Sequence, residues 1–152
     1  MRIRAERELL ASPDDVWALL EEPYHLSDWW PGYTAIRPDR RGFVEGARWS
    51  AVRSRDPGLL RKPGGTALIV IRAIERRRGF TWYDIEQDFT ARIELDAAGE
   101  RTRATIVLEA PWWRVPLEGL RDLPRRALAR LHNLCQTADS LASSEETSGK
   151  DV

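Results

Sequence analysis

Ile3, Ala5 and Leu9 alternate with Arg and Glu over residues 2–11, the period-two pattern of a strand with one wet face. The pattern then breaks at Ser12-Pro13-Asp14-Asp15, a helix-start signal. Ser12 serves as N-cap and Pro13 stands at the first helical position, where its missing N–H costs nothing. Asp15, three residues after the cap, closes a shortened capping box. Val16, Leu19 and Leu20 form one apolar stripe with Trp17 beside it, so a helix runs from about 13 to 22 and Pro23 ends it. Residues 24–30 make a second short helix or turn carrying Tyr24, His25 and Trp29-Trp30, before Pro31-Gly32 turns the chain.

Alternation then returns. Strands are expected at Tyr33 to Arg37, at Arg48 to Ser54, at Thr66 to Glu75 and at Thr81 to Glu86. Residues 56–65 hold Pro57, Gly58, Pro63, Gly64 and Gly65 and must be a loop. Leu59-Leu60 at its tip predicts lid-like mobility, with a loop folded back on the core as the plain alternative. Thr66 to Glu75 is apolar on both faces, which predicts a central strand covered on both sides, or a subunit interface; a homodimer is therefore an open alternative.

The clearest hairpin is Phe89 to Asp96 followed by Arg101 to Glu109, two strict period-two runs around a short loop containing Gly99. From Pro116 the period becomes helical. Leu117, Leu120, Leu123, Leu128, Leu131, Cys135, Ala138 and Leu141 recur every three or four positions. Pro124 divides this run into a short first piece and a main helix restarting near it. Residues 143–152 have the composition of a disordered tail, so residues 1–142 read as a single domain.

The order is strand, two short helices, six strands and one long amphipathic helix, which demands a sheet curved around that helix. With the run Ala11-Ser12-Pro13-Asp14-Asp15-Val16-Trp17 and the later Trp29-Trp30, it resembles the START-like (SRPBCC) superfamily over about residues 2–142, in particular its polyketide cyclase/dehydrase-type members. The resemblance implies an α+β helix-grip (Bet v 1-like) fold. Such a fold has a curved antiparallel sheet of about seven strands wrapped around a long C-terminal helix, with a ligand cavity between them.

Composition narrows the function. Lys plus Arg and Asp plus Glu each total 24, so no net field attracts nucleic acid or anionic membrane. All but Lys62 and Lys150 of the cations are Arg, scattered through strands and helix alike, as a G+C-rich coding sequence would produce. Cys135 is the single cysteine and falls on the apolar stripe of the last helix, a core thiol rather than a nucleophile. No apolar run approaches the length of a membrane span, and no apolar signal-peptide core begins the chain, so stable membrane insertion is not expected and a cytoplasmic location is.

Seven Trp require an explanation. Trp17 is expected to pack the first helix on the sheet. Trp29-Trp30, Trp49, Trp82, Phe89, Trp112 and Trp113 fall near predicted strand ends or turns, where an aromatic wall suits a flat or greasy ligand, although the same rings could simply fill the core. Arg72, amid the apolar run 68–74, must be paired (Asp84 and Glu86 are available) or aimed at a ligand oxygen. In polyketide aromatase/cyclases of this fold a pocket Arg and Tyr orient the poly-β-ketone. The resemblance implies those roles for Arg72 and Tyr33, with His25 as a further candidate base. His132 is expected at the surface. No metal-ligand cluster and no phosphate loop is present in the sequence, so neither metal nor cofactor is expected. The expected partner is a hydrophobic or aromatic small molecule, polyketide- or lipid-like. A cyclase, aromatase or dehydratase activity and a co-chaperone-like interaction role are the alternatives.

Overall fold

A computed structural model describes residues 1–54, 65–113 and 119–149, with side chains of the last helix described as far as Ala138. The predicted loop tip Leu59-Leu60 and Leu117 lie outside the described residues.

Strand β1 (Arg2–Leu9) leads to helix α1 (Pro13–Leu20), a single 3₁₀ turn (Pro23–His25) and helix α2 (Leu26–Trp29). Strands β2 (Tyr33–Arg37), β3 (Arg48–Arg53), β4 (Thr66–Glu75), β5 (Gly79–Asp84), β6 (Phe89–Ala98) and β7 (Arg101–Glu109) follow. A second 3₁₀ turn (Leu120–Asp122) then opens helix α3 (Leu123–Gly149).

The helix start forms as its residues dictate: the Ser12 hydroxyl accepts from the Asp15 N–H at 3.2 Å, and Val16, Trp17 and Leu20 are buried. All seven strands join one antiparallel sheet in the order β1-β7-β6-β5-β4-β3-β2. Gly99, with φ +66°, turns the β6–β7 hairpin in two residues, so that Ala98 pairs with Arg101.

One face of the sheet is dry. Ala67, Ile69 and Ile71 of β4, Phe80 and Trp82 of β5, Ala91 and Ile93 of β6, and Ile106 and Leu108 of β7 are all buried on it. Helix α3 packs on β1, β7 and α2, burying Leu123, Ala127, Leu128, Leu131 and Cys135. Burial raises the pKa of the Cys135 thiol, with the nearby Asp15 charge a smaller cause, which leaves it the inert core thiol expected.

The strand covered on both faces is β7 rather than β4. Thr105 and Val107 point outward yet are buried. They sit opposite Glu6 and Arg4 on one side and Glu94 and Arg92 on the other, whose side chains are ion-paired (Arg4–Glu6, Arg92–Glu94) and whose stems screen the central strand. In β4 the outward Leu68 remains exposed, as does Arg72. With Ile69 and Ile71 inward, alternation puts Arg72 on the wet face with Leu68, and the β-bulge that follows, where Ile71 pairs with Trp82 and Ala73 with Thr81, sends Ala73 outward as well and returns Ile74 to the Phe80 side.

Strand β5 starts two residues earlier than expected. Gly79 has φ +149°, and a Cβ there would stand 1.9 Å from the Ile93 carbonyl oxygen, so only glycine lets the chain enter the sheet at that point. Among the described residues no helix is long and apolar enough to cross a membrane.

Candidate functional site

Five of the predicted lining residues meet at one end of the sheet. Tyr33 opens β2, Trp82 and Asp84 end β5, Phe89 opens β6, and Trp30 follows directly on α2. All five are buried. The Trp30 and Trp82 rings meet edge to face at 5.0 Å between centroids and 88° between planes. Trp30 also lies 6.0 Å from Phe89 and 6.5 Å from Tyr33. Trp29 adds edge contacts to Trp30 at 6.2 Å and to Trp82 at 5.8 Å. Edge-to-face packing sets the positive ring edge against the negative face of its neighbour, so the group holds together beyond mere area burial. Over the described residues these rings occupy the inner face beside α3.

A polar pair is set into this aromatic block. The Tyr33 hydroxyl donates to Asp84 Oδ2 at 2.7 Å, and Asp84 Oδ1 accepts from the Gln87 N–H at 2.8 Å. Loss of water raises the Asp84 pKa, while the Gln87 N–H, the Tyr33 hydroxyl and the Arg53 charge work the other way. The Tyr33 pKa is raised well above its usual value, first by burial and then by the Asp84 charge. Arg53, half-buried at the end of β3, is the cation that both groups feel.

Around this pair several buried polar atoms have no hydrogen-bond partner among the described residues: the indole nitrogens of Trp29, Trp30 and Trp82, and the amide oxygen of Gln87. The Trp82 N–H faces the Tyr33 oxygen without completing a hydrogen bond. Gly32 lies against Trp30, where a Cβ would stand 2.9 Å from the indole nitrogen and 3.9 Å from a Leu123 methyl of α3. The Trp30 N–H therefore lies in the seam between the Pro31-Gly32 turn and the start of the C-terminal helix.

The remaining candidates go elsewhere. Trp49 is buried, but its N–H donates to the Gly42 carbonyl at 2.9 Å and its ring meets Phe43 at 6.1 Å. The Arg72 guanidinium lies 4.9 Å above the Tyr83 ring on the outer face, away from Asp84. Trp112 and Trp113, 75% and 48% exposed, do not wall the inner face. His25 is partly exposed, 3.8 Å from the Asp28 carboxylate. His132 is half-buried, its Nδ1 enclosed without a partner, and not the surface residue expected. Trp17 does pack α1 inward, meeting Phe43 at 5.7 Å.

Gly32, Arg53 and Gln87 were missed as neighbours of this group, and nothing local marks them. A shallow depression of about 450 Å³ on the outer face is lined by Arg2, Tyr83, Asp88, Thr90 and Glu109. Among the described residues no group of His, Cys, Asp and Glu is arranged to hold a metal ion.

The sequence matches the profile of the "Polyketide cyclase / dehydrase and lipid transport" family over residues 1–138. The chain belongs to that family. No protein of curated function matches it. Solved structures share its fold. A protein from Arthrobacter aurescens, 19% identical, superposes with a TM-score of 0.70 over 90% of this chain and 86% of its own. One from Nitrosomonas europaea, 21% identical, gives 0.69 over 92% and 97%. Ara h 8.0201, 11% identical, gives 0.67 over 90% and 98%. Likeness at such low identity carries the fold and no function; the family's breadth, from cyclisation to lipid transport, leaves the chemistry to be argued from the site.

Proposed function

We propose that this protein binds a hydrophobic or aromatic small molecule, polyketide- or lipid-like, between the sheet and helix α3, at the end where Trp30, Trp82 and Phe89 surround Tyr33 and Asp84. The observation that carries the reading is that polar atoms are left unpaired inside an aromatic block. A core built for stability alone pairs its buried donors, because each one left open costs about 1–3 kcal/mol. Family membership supports the same reading. Each 100 Å² of apolar ligand surface removed from water would contribute about 2.5 kcal/mol. Part of that gain is spent on separating rings now in contact.

Nile red fluorescence tests the reading. Saturable binding at one site, competed by hydrophobic aromatics and weakened in Trp82→Ala, supports it. Fluorescence that never saturates, equal in wild type and Trp82→Ala, overturns it.

A cyclase, aromatase or dehydratase activity is a second reading, favoured by one observation: a hydroxyl and a carboxylate of raised pKa in contact, screened from water. Such a pair can pass a proton to and from an enolising ketone. Turnover of an aromatic-forming β-ketone substrate that is unchanged in Tyr33→Phe would remove it.

A further inference from the structure

The polar inventory of the site is unbalanced in one direction. Among the described residues Trp29, Trp30 and Trp82, in mutual ring contact, each bury an indole N–H that completes no hydrogen bond, that of Trp82 facing the Tyr33 oxygen. An indole nitrogen donates only, so these three atoms ask for an acceptor oxygen. The nearest carboxylate is already engaged, Oδ2 by the Tyr33 hydroxyl and Oδ1 by the Gln87 N–H. Trp49 shows the ordinary solution, its N–H satisfied by a backbone carbonyl. The Trp30 nitrogen is the best placed of the three, because it lies in the seam beside Gly32 and Leu123.

Charge restricts which oxygen fits. Asp84 is fully buried, and the one cation acting on both it and Tyr33 is the half-buried Arg53. A carboxylate head brought into the same block would be a second buried anion facing the first and competing with it for Arg53. A ketone, phenol or ether oxygen accepts a hydrogen bond without that penalty.

Building on the ligand-binding reading, we propose that the ligand is a neutral aromatic bearing an acceptor oxygen, which takes the Trp30 N–H, and that Asp84 rejects carboxylate lipids from the same place. Specificity then lies in one donor and one fixed negative charge.

Equilibrium dialysis with three probes sharing one ring system tests this: naphthalene, 2-naphthol and 2-naphthoate. In wild type, 2-naphthol binds about tenfold or more tighter than both others. Trp30→Phe leaves a smaller aromatic ring in place and removes the N–H, so the advantage of 2-naphthol over naphthalene collapses. Asp84→Asn raises 2-naphthoate affinity relative to 2-naphthol. If Asp84→Asn does not fold, the wild-type ratio of 2-naphthol to 2-naphthoate decides the charge claim. Saturable binding of naphthalene as tight as 2-naphthol leaves the binding function standing and overturns the oxygen assignment. 2-Naphthoate binding as tightly as 2-naphthol in wild type overturns the exclusion. No binding of any probe overturns both this proposal and the function it rests on.

Discussion

The Tyr33–Asp84 hydrogen bond is the most consequential contact between two single residues of this chain. It ties the first residue of β2 to the last of β5 inside the aromatic block. Tyr33→Phe removes the hydroxyl and leaves the buried carboxylate with one donor fewer, which should cost about 2 kcal/mol in urea unfolding at neutral pH. The raised pKa of Asp84 fixes the sign of its pH effect. The folded state holds the Asp84 proton more tightly than the unfolded chain, so stability is fullest below the unfolded pKa, near pH 4, and declines as pH rises from there through the folded value. The difference in unfolding free energy between wild type and Asp84→Asn should therefore move against wild type as pH increases above about 4. A difference that is flat with pH, or that moves the other way, would show that Asp84 is not held at a desolvation cost. At this scale the sequence was only partly legible. Tyr33, Trp30, Trp82, Asp84 and Phe89, each expected at a strand end or turn, are buried together. Arg72 lies on the outer face that alternation with Leu68 assigns to it, over the Tyr83 ring.

Elements were far more legible. The runs Tyr33–Arg37, Thr66–Glu75 and Arg101–Glu109 match their expected bounds, because alternation marks a half-wet strand along its whole length. The capped start of α1 is equally local, and Ser12→Ala should cost about 1 kcal/mol, measured by the shift in the urea midpoint. What alternation cannot encode is which strand the side chains of its neighbours cover. Strand β4, between β5 and β3, carries the more apolar sequence, yet β7 is the doubly covered one, because the charged side chains of β1 and β6 lie over its outer face. Gly79 belongs to this scale as well. Gly79→Ala drives a methyl into the Ile93 carbonyl at a backbone angle that alanine avoids, and circular dichroism should show loss of the cooperative fold or a severe drop in its midpoint. An alanine variant as stable as wild type would contradict the close approach of β5 and β6 at that point.

For the whole molecule, the order of elements was enough to imply a seven-stranded sheet with a long terminal helix packed on it, and that is the architecture observed. The contents of the space between them were not implied. Rings of the same size can line a hollow or fill it, and their placement depends on contacts spread from Trp29 to Phe89. Here α3 covers β1 and β7, while Trp29 and Trp30 pack over β5. On the proposed reading a ligand enters by parting rings at the Tyr33–Asp84 end. The indole N–H signals of Trp29, Trp30 and Trp82 report on that event directly. In a ¹⁵N-labelled sample titrated with 2-naphthol, the account predicts that the Trp30 signal moves most, to saturation, with Trp29 and Trp82 following and Trp112 unmoved. Shifts confined to the exposed Trp112 and Trp113, with the three buried indoles unchanged, would contradict it.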